Sequence, residues 1–377
     1  MNRMSYILLI LALGGVTAGS AQARPQTATN VVLVLVDGVR WQEVFRGADC
    51  SFIEDREKGG VADSAGFRRR FCRDSLIAAR QALMPFLWTT IAEQGALFGD
   101  RDQGVPAAIT NSMKFSYPGY NEILTGVADP RIDKNDFGLN PNVTVFEWLA
   151  GRPGFRGRVR AWGSWDVFDP IFNEPRSGIP VRAGWETPFP GARNDAEREL
   201  NALWATTTRH WAYMPPDAFL QRAVLQSLRT DRPRILFVGF GEPDEWAHDE
   251  RYDNYLHTIQ ATDAYLRELW GWIERTPGYA GKTTLLLTTD HGRGREHRNW
   301  SDHGREVDGA EEIWFAALGP GVPRLGHLRT GAPITQAQVA ATVAALVGEE
   351  WPAFNAGAAP AVDFMSYHSQ IPSSDRP

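Results

Sequence analysis

The chain of 377 residues carries 39 basic and 45 acidic residues, and 43% of its residues are hydrophobic. This composition excludes a disordered or fibrous protein, and the length suits one large α/β domain. The net charge of −6 offers no basic field for a nucleic-acid polymer or an anionic membrane surface, so we expect a small, diffusible partner.

Residues 1–23 have the pattern of a signal peptide. Arg3 supplies positive charge, Tyr6 to Val16 is an apolar run, and Ala21-Gln22-Ala23 is an A-x-A cleavage site. The run is short for a bilayer span, so we expect its removal, with a retained anchor as the alternative. The sequence predicts one domain over 24–377, periplasmic or secreted, without stable membrane insertion.

Cys50 and Cys72 are the two cysteines of the chain. An oxidising compartment favours a disulfide bond between them. Two buried free thiols are the alternative, and the spacing matches no metal or redox motif. The sequence therefore leaves their pairing open.

Three buried parallel strands are predicted from short aliphatic runs without polar alternation. They are Asn30 to Val36, Arg234 to Phe240 and Thr283 to Thr288. A carboxylate closely follows each run: Asp37, Asp244 and Asp290. Ligand sites in open α/β sheets lie beyond the carboxyl ends of the strands, so these side chains should meet at one edge.

Apolar periodicity predicts helices in the intervals between the strands. They are Leu83 to Gln94, Ala196 to His210, Pro216 to Arg229, Tyr252 to Arg275 and Thr335 to Leu346, the last capped by Thr335. The segment 151–190 is rich in Trp, Pro, Gly and Arg with little periodicity, and is expected to form a cap insertion. The predicted fold class is α/β, with a mostly parallel central sheet, helices on both faces and an inserted cap.

Imidazole and carboxylate side chains are concentrated after the predicted strands. They are Asp37, Asp244, His248, Asp290, His291 and His303. Zinc and related ions favour such nitrogen and oxygen ligands, and six ligands suffice for two ions. A pair of ions can stabilise the attacking and leaving oxygens of a displacement at phosphorus. We therefore expect two divalent ions, zinc first and manganese as the alternative.

Ser116 is the candidate nucleophile. It precedes Pro118 and a stretch that can be helical, so its hydroxyl would lie at a positive helix end, where an anionic phosphoryl group is favoured. A lone serine before a helix is ordinarily only an N-cap. The neighbouring metal ligands are what favour the catalytic interpretation.

Four short motifs occur in a distinctive order along the chain. They are Asp37-Gly38, Ser116 before a helix ending in Leu124-Thr125-Gly126, Glu242-Pro243-Asp244 with His248, and Asp290-His291-Gly292. Together they resemble the alkaline phosphatase superfamily, which includes nucleotide pyrophosphatase/phosphodiesterases, sulfatases and cofactor-independent phosphosugar mutases. The resemblance runs from about Asn30 to Val347 and implies an alkaline-phosphatase-like fold.

The resemblance also implies which side chains hold each ion. One ion would be held by Asp37, Ser116, Asp290 and His291, and the other by Asp244, His248 and His303. His297 competes with His303 for the last position. His303 lies in Ser301-Asp302-His303-Gly304, which looks like the mutase element, whereas His297 has the charged neighbours of a solvated loop residue.

The chain departs from individual branches of the superfamily. Aldehyde-forming sulfatases need an arginine where this chain has Tyr120. The diesterases use threonine in place of Ser116 and a phosphate-binding asparagine, for which Asn111 and Asn121 are both open. Phosphosugar mutases are cytosolic, whereas residues 1–23 predict export.

These observations and the resemblance predict an exported two-metal hydrolase that cleaves small phosphate esters through a phosphoseryl intermediate on Ser116. A phosphosugar mutase-like isomerase, a sulfatase-like hydrolase and a non-catalytic metal-binding relative are the alternatives. The preference among monoester, diester and sulfate is left open, as is the oligomeric state.

Overall fold

The three predicted strands lie side by side at the centre of an eight-stranded sheet. The computed structural model describes residues 27–55 and 57–370, so the predicted signal peptide, residues 1–23, lies outside the described residues. The observed strand bounds differ from the predicted ones by at most one residue. Uninterrupted aliphatic runs of this length fit a strand that is covered on both faces.

The strands are β1 (Asn30–Val36), β2 (Ala96–Phe98), β3 (Ala107–Ala108), β4 (Val159–Gly163), β5 (Val181–Ala183), β6 (Ile235–Phe240), β7 (Thr283–Thr288), β8 (Glu312–Ile313), β9 (Phe315–Leu318), β10 (Gly326–His327) and β11 (Ile334–Thr335). The large sheet has the order β10-β2-β9-β7-β1-β6-β4-β5. β7, β1, β6, β4 and β5 are parallel, while β9 is antiparallel to both of its neighbours. β11, β3 and β8 form a second, small sheet.

The helices are α1 (Trp41–Arg46), α2 (Ser64–Phe71), α3 (Leu76–Leu83), α4 (Ala92–Gln94), α5 (Ser116–Thr125), α6 (Val145–Gly151), α7 (Phe168–Phe172), α8 (Glu174–Ser177), α9 (Asp195–Thr206), α10 (Asp217–Thr230), α11 (Glu242–His248), α12 (Tyr252–Arg275), α13 (Gln338–Leu346), α14 (Trp351–Phe354) and α15 (Phe364–Gln370). Short 3-10 turns cover Cys50–Ile53 and His297–Asn299, and a π-helical turn covers Leu87–Ile91.

Alternate residues of β1 pack into two apolar layers, one on each face of the sheet. Val31, Leu33 and Leu35 pack with α5, α6 and α13, whereas Val32 and Val34 pack with α1, α10 and α12. This alternation follows from the two-residue period of a strand. Helices therefore cover both faces, which confirms the predicted α/β class.

The helix predicted over Leu83 to Gln94 is interrupted. α3 ends at Leu83, and Met84 leaves the helical region because it precedes Pro85. The chain becomes helical again as the carboxylate of Asp263 accepts the backbone N–H groups of Phe86 and Leu87, each at 2.8 Å. A carboxylate distant in sequence thus sets this boundary, which local periodicity does not reveal.

Two other predicted helix ends are displaced. α9 stops at Thr206 rather than His210, because the backbone of Thr207 turns to an extended conformation. Thr335 does not cap the last helix; it belongs to β11, and α13 starts at Gln338.

The segment 151–190, expected as a cap insertion, contributes two strands to the central sheet. β4 pairs with β6, and β5 pairs with β4 at the edge. These strands have five and three residues, too short for a periodic signal. The loop after β4 still reaches the cleft of the site through Trp165.

Cys50 and Cys72 form a disulfide bond that closes a loop with a sequence separation of 22. By the loop-entropy model, a loop of this size contributes about 3 kcal/mol to stability. Within the described ranges, no helix combines the length and the apolar character needed to cross a membrane.

Candidate metal centre

The predicted site residues converge at the carboxyl edge of the sheet. Asp37 follows β1 directly, Asp290 is the second residue after β7, and α11, which carries Asp244 and His248, starts two residues after the last residue of β6. Since β1 is hydrogen-bonded to both β6 and β7, the three strand ends are neighbours. The structure brings together side chains that are more than 250 residues apart in sequence.

One group of ligand atoms surrounds His291. Its Nε2 lies 3.3 Å from Asp37 Oδ1, 3.5 Å from Asp290 Oδ2 and 3.4 Å from Ser116 Oγ. The other ring nitrogen, Nδ1, lies 2.9 Å from the carbonyl oxygen of Gly292. Nδ1 therefore donates to this carbonyl, which leaves the lone pair of Nε2 for a cation.

The two carboxylates of this group each have one engaged and one unpartnered oxygen. Asp37 Oδ2 accepts a hydrogen bond from the hydroxyl of Tyr120 at 2.7 Å, and Asp290 Oδ1 accepts one from the backbone N–H of Gly38 at 3.1 Å. Asp37 Oδ1 and Asp290 Oδ2 are buried without a partner. Buried oxygens are rarely left unsatisfied, so this arrangement fits a divalent cation.

The electrostatics of these carboxylates also fit a cation. Burial, followed by the charges of Asp290 and Asp244, raises the pKa of Asp37 well above its usual range. Burial and the charge of Asp244 raise the pKa of Asp290 to about 7. Crowded buried carboxylates repel one another, and a positive ion among them removes that cost.

A second group consists of Asp244, His248 and His303. Asp244 Oδ2 lies 3.0 Å from His248 Nε2, as the i, i+4 spacing on α11 predicts. The Nε2 atoms of His248 and His303 are 3.1 Å apart, and the His303 ring stacks on His291 at a centroid distance of 4.0 Å. The rings of His291 and His303 link the two groups. Three ligand atoms lie within 4.8 Å of one another in each of two sets, Asp37-Asp290-His291 and Asp244-His291-His303.

The residues of the second group differ in the direction of their pKa shifts. Burial opposes ionisation of Asp244, but Arg293 and His248 outweigh it and hold the pKa of Asp244 well below its usual range. Asp244 in turn raises the pKa of His248. Burial and the neighbouring His291 hold the pKa of His303 well below its ordinary value, so this ring is neutral, as a metal ligand must be.

Arg293 is a buried residue of this site that the sequence analysis missed. Its guanidinium contacts the carboxylate of Asp244 and donates to the carbonyls of Gly38 and Ser301. It thereby connects the ends of β1 and β6 with the loop after β7. Its position directly after Asp290-His291-Gly292 is the feature of the sequence that could have identified it as a site residue.

Ser116 is the first residue of α5, and its side chain does not cap the helix. The N-cap residue is Phe115, which makes no side-chain cap hydrogen bond. Ser116 is buried, and its hydroxyl lies against His291. The preceding Lys114 has a φ of +57°, a costly conformation for a residue with a side chain, and its ammonium group is bound to Glu311 at 3.0 Å.

Two glycines allow the close approach of these segments. Gly38 has a φ of +61°, and a Cβ added there would lie 2.5 Å from Asp244 Oδ1. A Cβ at Gly119 would lie 2.5 Å from the carbonyl oxygen of Asp290. A larger residue at either position would displace a carboxylate-bearing segment.

Three polar residues considered in the sequence analysis lie away from the ligand groups. His297 interacts with Asp49 and Ser51, each at 2.9 Å. Asn111 bonds to Glu122, and Asn121 is fully buried and bonds to Val127. The asparagine that lines the cleft is Asn135, which no local pattern marks.

The ligand groups open into a cleft of about 510 Å³. Its walls are formed by Asp37, Ser116, Asn135, Trp165, Trp211, Tyr213, Met214, Gly241, Asp244, Glu245, His248, Asp249 and His303. The cleft thus combines the hydroxyl of Ser116, carboxylate and imidazole groups that could hold cations, and an aromatic wall. This size suits a small organic ester.

Comparison with known proteins agrees with this geometry. A family model described as the Metalloenzyme superfamily matches residues 184–348, the part that carries Asp244, His248, Asp290, His291 and His303. The fold is similar to phosphonate monoester hydrolase SpPMH from Silicibacter pomeroyi, with a TM-score of 0.52, 14% identity and coverage of 92% of this chain and 78% of that chain. The chain therefore has an alkaline-phosphatase-like fold, and residues 184–348 match the Metalloenzyme superfamily model.

Two further proteins are similar to this chain in fold or in sequence. The lipoteichoic acid synthase LtaP from Listeria monocytogenes is similar in fold, with a TM-score of 0.50, 11% identity and coverage of 89% of this chain and 76% of that chain. In sequence, the chain is 26% identical over 313 residues to GPI ethanolamine phosphate transferase 1 of Gibberella zeae, covering 75% of this chain and 29% of that protein. The chain thus spans less than a third of the length of this curated relative.

Proposed function

We propose that this protein is a metal-dependent phosphoric ester hydrolase of the alkaline phosphatase superfamily, with Ser116 as nucleophile. One observation carries the proposal: the hydroxyl of Ser116, which caps no helix, lies at His291 Nε2 beside the unpartnered oxygens of Asp37 and Asp290. A hydroxyl among cation ligands is the arrangement that nucleophilic displacement at phosphorus requires.

The proposed ligand sets follow the two groups of atoms. Asp37, Ser116, Asp290 and His291 would hold one divalent ion, because the ligand atoms of Asp37, Asp290 and His291 cluster within 4.8 Å and Ser116 lies against His291. Asp244, His248 and His303 would hold the other, because His248 lies against both Asp244 and His303. We expect zinc from the mixed nitrogen and oxygen ligands, with manganese as the alternative. Bound there, the ions would promote deprotonation of the Ser116 hydroxyl and stabilise negative charge on the leaving oxygen.

The reaction then proceeds in two displacements. Ser116 Oγ, its proton lost to solvent, forms a bond to phosphorus while the bond from phosphorus to the alcohol oxygen breaks, and the alcohol leaves with a proton from water. Water then attacks the phosphoserine, the Oγ–phosphorus bond breaks, and Ser116 regains a proton. The start of α5 places the helix dipole behind the phosphoryl group.

Asn135 supports the phosphoryl group in this proposal. Its Oδ1 accepts the backbone N–H of Tyr117 at 3.0 Å, so its side-chain NH₂ is the part left to donate to a phosphoryl oxygen. Tyr120 keeps Asp37 oriented through its hydroxyl, whose pKa is raised well above its usual value by burial and by the charge of Asp37. Tyr120 therefore stays protonated and remains a donor.

A transferase is the second candidate, because the Gibberella zeae relative is named as an ethanolamine phosphate transferase. In that case an alcohol would replace water in the second displacement. The residues of the first displacement would be unchanged. Export through residues 1–23 remains part of the proposal.

Release of nitrophenol from 4-nitrophenyl phosphate and from a 4-nitrophenyl phosphodiester tests the proposed activity. We expect turnover of at least one ester, its loss on chelation and its recovery with zinc or manganese. Free phosphate from the monoester indicates hydrolysis, while a phosphorylated product from an added alcohol indicates transfer. Absence of turnover with either metal would contradict both enzymatic candidates.

Replacing His303 with alanine should lower the metal content by about one ion per chain, because a ligand of the second group is lost. His297→Ala is the matched control, since the hydrogen bonds of His297 go to Asp49 and Ser51, which belong to neither ligand group. Metal analysis of the purified proteins by mass spectrometry measures the difference. Equal metal content in the two variants would remove His303 from the ligand set.

A further inference from the structure

The cleft carries negative charge beyond that of the proposed ion ligands. Glu245 and Asp249, both on the chain that follows β6, line the cleft but belong to neither ligand group. Among the described residues that line it, none is lysine or arginine. Asp37, Asp244 and Asp290 would contact the ions directly, whereas Glu245 and Asp249 would face the substrate.

These carboxylates have few partners of their own. Glu245 Oε2 accepts the hydroxyl of Tyr213 at 2.5 Å, and within the described ranges Glu245 takes part in no ion pair. The nearest basic group to Asp249 is His210 Nε2 at 3.9 Å, and both side chains are about half exposed. Two carboxylates therefore face the cleft without a fixed cation.

An aromatic wall stands in the same cleft. Trp165, Trp211 and Tyr213 line it together with Met214. Trp211 is held in place by edge-to-face packing on Trp246 at a centroid distance of 4.8 Å, and its carbonyl accepts the indole N–H of Trp185 at 2.9 Å. A fixed aromatic wall beside free carboxylates is the environment that favours an alkylammonium group.

We propose that this part of the cleft recognises an ammonium group on the alcohol portion of the substrate. The substrate class is then an amino-alcohol phosphate ester: its phosphoryl group faces Ser116, and its ammonium group faces Glu245 and Asp249 along the aromatic wall. This inference rests on the proposed function, because it assigns the substrate of the same site.

Other substrate classes fit these walls less well. A nucleoside polyphosphate would bring additional negative charge toward Glu245 and Asp249 without a lysine or arginine in the cleft wall to receive it. A neutral aromatic alcohol would use Trp165 and Trp211 but would gain nothing from the two carboxylates. The aromatic wall and the two carboxylates together favour a substrate with a positively charged group.

Pairs of esters that differ only in this charge test the proposal. The 4-nitrophenyl diester of choline is compared with the 4-nitrophenyl diester of 3,3-dimethylbutanol, which replaces nitrogen with carbon at nearly the same shape. For monoesters, phosphocholine is compared with 3,3-dimethylbutyl phosphate. We expect kcat/KM to favour the cationic ester by about tenfold or more, the size of a desolvated cation–π contact with an added charge pair.

Neutral variants assign the preference to the carboxylates. In Glu245→Gln with Asp249→Asn the ratio of the two kcat/KM values should fall to within about twofold of one. Asp249→Asn alone, at a half-exposed position, should reduce the ratio without disturbing the fold. Asp195→Asn, at an exposed position of α9, should leave the ratio unchanged. A wild-type ratio near one, or a ratio that the double variant retains, would overturn the proposal.

A binding measurement distinguishes failure of this inference from failure of the proposed function. If neither ester is turned over, the hydrolase proposal fails, and calorimetric titration of the metal-loaded protein with phosphocholine and with 3,3-dimethylbutyl phosphate still measures the charge preference. Tighter binding of phosphocholine, lost in the double variant, would support the recognition site on its own. Equal binding or no binding would refute it.

Discussion

Replacing Ser116 with alanine should lower kcat by at least about three orders of magnitude and leave the melting temperature nearly unchanged. The rate falls because the oxygen that attacks phosphorus is gone. The stability remains because Ser116 Oγ caps no helix and makes a single long contact, to His291 at 3.4 Å. Steady-state kinetics and thermal unfolding of the same preparation measure both effects.

Ser75→Ala is the matched control, because Ser75 is also at the start of a helix but does cap it. Its side chain accepts the backbone N–H of Ala78 at 3.2 Å at the start of α3. Loss of such a cap costs about 1 kcal/mol, and we expect no effect on kcat. Ser116→Ala should therefore lower kcat but not stability, whereas Ser75→Ala should lower stability but not kcat. Full turnover by Ser116→Ala would exclude a phosphoseryl intermediate.

The position of the candidate site at the carboxyl edge of the sheet could be predicted from the sequence, because short local patterns determine it. Aliphatic runs that end in Asp37 and Asp290 give both the strand and the position of the carboxylate after it. The i, i+4 spacing of Asp244 and His248 likewise gives their proximity on α11. At these positions a short stretch of sequence is enough to predict where the side chain lies.

Other features depend on contacts between distant segments. Tyr120 orients Asp37 across 83 positions, and Asp263 restarts a helix 177 positions away. The strands β4 and β5 are too short to show a period, so the sequence did not reveal that the central sheet continues through the segment 151–190. Asn135 enters the cleft from a loop, where no periodicity applies. Such side chains become visible only once the fold is known.

Charge repulsion among the buried carboxylates of the candidate metal centre should have a large effect on the stability of the metal-free protein. In metal-free protein, burial and Asp244 raise the pKa of Asp290 to about 7, while an unfolded aspartate has a pKa near about 3.9. Between these values the folded chain binds more protons than the unfolded chain, so its stability falls as the pH rises. Over this window the loss from Asp290 is on the order of 4 kcal/mol, and Asp37, whose pKa is also raised, adds to it.

The metal-free protein should therefore be less stable at pH 8 than at pH 5, and added zinc or manganese should restore stability most strongly at pH 8. The ions bind the deprotonated carboxylates, which are fully available only at the higher pH. Urea unfolding of chelator-treated and metal-loaded protein at both pH values measures this difference. Asp290→Asn should make the metal-free protein more stable at pH 8 and weaken the response to metal.

Asp263 provides the control that separates the metal centre from ordinary buried carboxylates. Burial raises the pKa of Asp263 to about 6, so it also lowers stability as the pH rises, but it contacts Phe86 and Leu87 rather than the ligand groups. Asp263→Asn should change the pH dependence equally with and without metal, whereas Asp290→Asn should change it mainly without metal. If wild-type and Asp290→Asn proteins lost stability equally between pH 5 and pH 8 in chelator, the carboxylates of the edge would not be crowded as described. The cation would then have no repulsion to relieve, and its place among Asp37, Asp290 and His291 would lose its electrostatic basis.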